Sequence, residues 1–374
     1  MKKFTVVVLL SIACLAALAQ GITQPPSGDN QRASVTQWIG PVSVTIHYSS
    51  PDVHGPDGED RKGHIWGELV HFGFIDQGFG SSKASPWRAG ANENTTITFS
   101  HDVTAEGQPL KAGTYGLFLE VAKEGPWKWI FSNNSKSWGS YFYDAREDAL
   151  RVETQPADAP YTEWLTYGFD ERKANSALAY LQWENKRVPL RIGVPDVNEL
   201  YVGIIRNELR GNIGFDHRNI MAAAQFCARN KINLEEALTW ADQAISQPFI
   251  GQEEFATLRT KAIVLEAMNR NSEAEVVMAK AINHPTASVT EVHQYGRSLL
   301  AEGKTAKALE VFKLNRQRHP EDTFTTYVGL ARGYSAAGDK KNAIRNWELA
   351  IRNIPEDQKQ FMGQYESELK KLKG

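Results

Sequence analysis

Cysteine is almost missing from this chain: of 374 residues only Cys14 and Cys227 carry a thiol. Cys14 sits in an apolar leader that is expected to be removed, so the mature chain can form neither an internal disulfide nor a cysteine-based zinc site. Charge bias is missing as well. Lys+Arg 42 against Asp+Glu 44 gives a net charge of −2 with no basic stripe, which argues against nucleic acid as a partner. Beyond the leader no stretch reaches the ~18 consecutive apolar residues of a membrane span. His-Glu-x-x-His and Gly-x-Ser-x-Gly are both absent, so neither a zincin nor a serine hydrolase is indicated. The histidines of the first half, His47, His54, His64, His71 and His101, show no paired spacing. Glu68, Asp76, Glu93 and Asp102 are acidic residues near strand ends, where such residues mostly cap turns. No catalytic residue, metal ligand or cofactor is therefore assigned, and the reading leans away from an enzyme.

What is present begins with "MKKFTVVVLLSIACLAALAQG". Two lysines, an apolar core from Phe4 to Leu18 and the triplet Ala17-Leu18-Ala19 have the layout of a secretory signal over residues 1–19, cut after Ala19. Losing Lys2 and Lys3 takes the net charge from −2 to −4. Lipid attachment at Cys14 is the alternative, but Ser11 stands where such a signal carries leucine. The expectation is a soluble, exported protein, periplasmic or secreted. Residues 20–32, with "QPPSGDNQ", are expected to form a disordered tether.

Residues 33–193 read as strands. "VSVTIHY" (Val42–Tyr48) alternates Val42, Val44, Ile46 and Tyr48 against Ser43, Thr45 and His47. Further strands are expected at 95–100, 114–121, 127–132, 150–154, 164–169, 177–183 and 187–192. Short strands without intervening helices predict an all-β sandwich or barrel.

From 194 the period becomes helical. Residues 194–215 are expected to hold a connecting helix, 216–357 about four helical repeats, and 358–374 a capping helix. Aligning Thr323–Pro355 on Ser288–Pro320 superposes Gly338 on Gly303, Ala343 on Ala308, Trp347 on Phe312 and Pro355 on Pro320, each offset by 35 residues. With Tyr327, Leu330, Ala331 and Ala350 in order, this resembles tetratricopeptide repeats and predicts an all-α solenoid. In that family the first helix of each repeat usually faces a concave groove. The corresponding positions here include Arg259, His293, Arg297 and Arg332, which suit an acidic segment or C-terminal carboxylate of a protein or peptide partner. A merely solvated face is the plain alternative.

The first half resembles the bacterial secreted domain-of-unknown-function family twenty-nine-eleven. The resemblance rests on "VTIHYSSPDVHG", on "PWRAGANENTTITFSHDV", and on "LKAGTYGLFLEV" with "WKWIFS" and "WGSYFYD". It implies a fold and a pairing with helical repeats, and no activity. The link "VHFGFIDQGFGSSKASPW" is longer than that family's usual link, so residues 73–85 read as an insertion. Eight tryptophans lie between Trp38 and Trp183. Large aromatics beside Arg and Asn can stack on a sugar or clamp a carboxylate, or simply fill a core. Tyr48, Trp87, Arg88, Asn92 and Glu93 are the ligand-binding candidates. Arg88 is expected either to pair with Glu93 beneath Trp87 or to point into a cleft beside Tyr48. Gly90 is expected to supply a backbone conformation that a side chain resists.

The function read from the sequence is an exported, non-catalytic interaction protein. The alternative is a carbohydrate- or small-molecule-binding β-domain, conceivably hydrolytic, presented by the repeats.

Overall fold

The structure, a computed structural model, describes residues 30–374; the signal sequence, Cys14 and the tether up to residue 29 lie outside these residues. The described chain divides into two units after Val197.

Ten strands form the first unit: β1 (Gln31–Ile39), β2 (Val42–Ser50), β3 (Thr96–Phe99), β4 (Val103–Ala105), β5 (Gln108–Leu110), β6 (Gly113–Glu120), β7 (Trp127–Ser132), β8 (Asp148–Thr154), β9 (Ala157–Asp170) and β10 (Ser176–Gly193). They build a six-stranded sheet in the order β1-β2-β3-β6-β7-β8 and a four-stranded sheet in the order β5-β4-β10-β9. The pairs are antiparallel. Period-two alternation explains the layering. Val42, Val44 and Ile46 of β2, with Ile97 and Phe99 of β3, are buried, as are Leu181, Leu190 and Ile192 of β10. The carbonyl of Pro189 accepts two bonds from the other sheet, from Trp129 Nε1 at 2.8 Å and Thr154 Oγ1 at 2.6 Å.

Two expectations change here. Gln31 and Arg32, assigned to the tether, open β1 and pair with Ser50 and Ser49. That strand escaped notice because its side chains are mostly exposed or half-exposed, with only Ile39 buried. The strands expected at 177–183 and 187–192 are one strand, β10. Its register shifts around Glu184, whose φ of 51° bends the strand without ending it.

Between β2 and β3, residues 51–95 contain no helix and no strand beyond isolated bridges. So long an irregular segment is uncommon in a compact domain unless it serves binding. It is nevertheless pinned, since Val53, Ile65, Val70, Ser85, Trp87 and Ala89 are buried.

The second unit holds α1 (Val197–Glu208), α2 (His217–Asn230), α3 (Leu234–Ser246), α4 (Phe255–Ala267), α5 (Asn271–Asn283), α6 (Val289–Ala301), α7 (Thr305–Arg318), α8 (Thr325–Ala336), α9 (Lys340–Arg352) and α10 (Met362–Lys373). Helices α2 to α9 form four consecutive hairpins. Each hairpin turn uses a left-handed residue: Gly338 (φ 78°), Gly303 (φ 75°), Asn269 (φ 61°), and Lys231 with Asn233 (φ 53° and 47°). Glycine and asparagine are the residues that bear this conformation at least cost, so the recurrence of the turns follows from the sequence. Ala274, Ala308 and Ala343 are almost fully buried and let each pair close up. Tyr365 of α10 stacks on Trp347, centroids 5.6 Å apart, and covers the last hairpin.

Candidate functional site

A cavity of about 270 Å³ opens in the irregular segment of the β-unit. Trp87 and Trp183 form part of its apolar side, and Arg61, His71, Gln77 and Arg88 supply its polar groups. The two indoles stack with centroids 6.2 Å apart, and Trp66 leans on both.

Arg88 is held in place from several sides. Its Nη1 donates to the Asn92 carbonyl at 2.8 Å, and its guanidinium lies 5.2 Å over the Tyr141 ring. At Gly139 (φ 58°) a Cβ would stand 2.4 Å from Arg88 Cζ, so a side chain there would push the guanidinium from this position. The expected Arg88–Glu93 ion pair is not formed. Glu93 binds Arg32 instead and accepts from Ser49 Oγ at 3.2 Å. Burial pushes the Glu93 carboxyl up, but its backbone amide and Arg32 outweigh this and hold it below its usual pKa.

The five ligand candidates therefore separate. Trp87, Arg88 and Asn92 line the cavity. Tyr48 and Glu93 line a second hollow with Arg32, His47, Ser49 and Asn94. Tyr48 is engaged by Tyr167, ring edge to face at 4.8 Å, with its hydroxyl accepting from the Tyr167 amide at 3.4 Å. Gly90 also differs from expectation, because the positive φ values belong to Ala89 (49°) and Asn92 (56°). Gly90 is needed for space, since a Cβ there would stand 2.5 Å from Thr95 Oγ1.

The tryptophans divide as well. Trp87, Trp127, Trp129 and Trp183 are buried, whereas Trp38, Trp138 and Trp164 are exposed. Aromatic content alone therefore indicates core as much as ligand. His71, Gln77, Arg61 and Trp183 were missed by sequence reasoning. They come from three separate stretches brought together by an aperiodic loop, and the only hint was the extended link that carries His71 and Gln77. Both ring nitrogens of His71 and Oε1 of Gln77 are buried outside hydrogen-bond geometry. Burial pushes the His71 pKa down, and the adjacent backbone of Phe72 and Gly73 offsets part of that.

The helical unit gathers a second group. Arg297 on α6 and Arg332 on α8 are 35 residues apart, the repeat period, so they occupy equivalent positions on first helices of successive hairpins. Arg297 is exposed and Arg332 half-buried, its guanidinium 5.8 Å from the Trp347 ring. Burial and then the charge of Arg297 lower the Arg332 pKa. Among the described residues neither arginine has an ion pair. His293 lies at the base of this pair, buried, with its ring 5.6 Å from Phe312 and Nδ1 without a partner. Burial, then Arg332 and Arg297, push its pKa down to about 4. His293 is thus a buried residue more than a groove-lining one. Arg259 stands apart, acting on Glu266 of its own helix, because the repeat-equivalent position to Arg297 on α4 is close to Ile263, an apolar residue.

Among the described residues no group of three or more His, Cys, Asp and Glu could hold a metal ion, and no helix is long and apolar enough to cross a membrane.

Fold and site together define a β-sandwich with a cavity-bearing loop, followed in the chain by helical-hairpin repeats. Residues 30–192 match the model of a family described as a protein of unknown function (DUF2911), so the first unit is similar to that family over nearly its whole described length. No curated protein matches the chain. Solved structures similar to the helical part include MamA (41-end) from Desulfovibrio magneticus RS-1. It has 20% identity over 43% of this chain and 90% of that one, with a TM-score of 0.28. Another is described as a kinesin light chain with nearly identical TPR-like repeats from Podospora anserina, at 14% identity over 42% of this chain and 94% of that one, with a TM-score of 0.28.

Proposed function

We propose that this is an exported, non-catalytic binding protein of the cell envelope. Its helical repeats hold a protein partner through an acidic segment, and its β-unit docks a second, small ligand in the cavity beside Trp87 and Arg88. The observation that carries the first part is the Arg297–Arg332 pair. Two like charges at equivalent repeat positions, with no carboxylate in ion-pair contact among the described residues and Glu368 acting on Arg332 only at longer range, repel each other in the free protein, and an acidic chain laid across them removes that repulsion. His293, buried on the same helix as Arg297, feels both charges. Export is supported by the signal-like residues 1–19.

A labelled acidic hexapeptide, Asp-Glu-Leu-Asp-Glu-Leu with a free carboxylate, tests the class of partner by fluorescence anisotropy. The expected result is saturable binding that the Asn/Gln counterpart lacks and that weakens as salt rises. Equal binding of both peptides contradicts the proposal.

A further inference from the structure

The cavity of the β-unit has a composition that narrows its ligand. We propose that it takes a small organic monocarboxylate with an apolar body, a step that rests on reading the cavity as a ligand site. Arg61 and Arg88 are the charged residues on its wall, and no acidic residue lines it among the described residues. Arg61 is already shared with Glu59 at 3.0 Å, so the wall formed by the described residues carries a surplus of one positive charge. That matches a monoanion better than a phosphate, which brings nearer two.

The donors fit a carboxylate. A guanidinium has five N–H groups, and Arg88 spends one of them on the Asn92 carbonyl. The His71 side chain also lines the cavity, with both ring nitrogens buried. Gln77 donates from Nε2 to Ser140 Oγ at 3.2 Å, leaving Oε1 buried and unpartnered. The remaining N–H groups of Arg88 are then the donors that a carboxylate on this wall would meet. The remaining wall, with Trp87, Trp183, Val70 and Pro51, is apolar and suits the ligand's body. At about 270 Å³ the space is just below the ~300–1,000 Å³ range of small-molecule sites. It is sized for one small molecule.

Calorimetric titration of the full chain with benzoate and hexanoate, against benzamide, glucose and inorganic phosphate, tests this. The expected result is one saturable site for a carboxylate, with benzamide and phosphate weaker by about tenfold or more. Arg88→Gln should reduce carboxylate affinity by about tenfold. Because Arg88 also ties its own turn, Arg61→Gln serves as a second variant, with a smaller loss at unchanged Tm. Saturable binding of benzamide or glucose with none of a carboxylate overturns the ligand class while the site stands. No saturable binding of any probe overturns both, and carboxylate binding that survives both variants unchanged overturns the assignment to this cavity.

Discussion

Arg88 and Glu93 are five residues apart in one turn and make different partnerships, one with a backbone carbonyl and one with a strand edge. Arg88 is packed between Tyr141 and Gly139, so Arg88→Ala removes a charge-assisted bond and a ring contact and should cost about 1.5–3 kcal/mol in urea unfolding. Glu93→Gln should cost less than about 1 kcal/mol, because its partner Arg32 is exposed. The sequence shows which residue types are in this turn. It does not show the direction of a guanidinium, because that depends on Gly139 and Tyr141, some fifty residues away. His293 makes a pH prediction. Its folded pKa is about 4 against the 6.5 of an ordinary histidine, so the unfolded chain takes up the proton first as pH falls. Stability should therefore be full above pH 6.5 and decline towards pH 4, by as much as about 3 kcal/mol. The ring feels Arg332 and Arg297, with Asp322 opposing them, and His293→Gln should flatten the urea-midpoint profile across that window.

Among the elements, the helical hairpins were the most legible, because each turn needs a left-handed residue and each crossing needs a small one. Both demands leave fixed marks in sequence at Gly303, Gly338, Ala308 and Ala343. The sheet was legible where one face is buried, as in β2, and illegible where it is not, as in β1. A bulge such as that at Glu184 reads as a break, since periodicity is interrupted while the chain continues. Gly296 makes a prediction at this scale. A Cβ there would stand 2.4 Å from Phe312 Cε1, and Phe312 is itself buried. Gly296→Ala should therefore destabilise the helical unit by about 1–3 kcal/mol through overpacking, read as a lower Tm. Gly363→Ala, where nothing lies within 4 Å, should leave Tm unchanged or raise it.

For the whole molecule, two units of different architecture each carry arginines outside any ion pair among the described residues, Arg88 in the β-unit and Arg297 with Arg332 in the repeats, although the chain as a whole has a net charge of −2. Net charge gives no hint of either site, because both arise from which side chains lack a neighbour of opposite sign. The repeat period makes the second site partly readable, since Arg297 and Arg332 differ by 35 residues, whereas the cavity has no such regularity. The central claim is that this arginine pair holds an acidic segment. Calorimetric titration of the acidic hexapeptide into wild type and into the Arg297→Ala/Arg332→Gln double variant tests it most directly. The account predicts a loss of about tenfold or more in affinity at unchanged fold, about 1.4 kcal/mol or greater; equal affinity in the two proteins would contradict it.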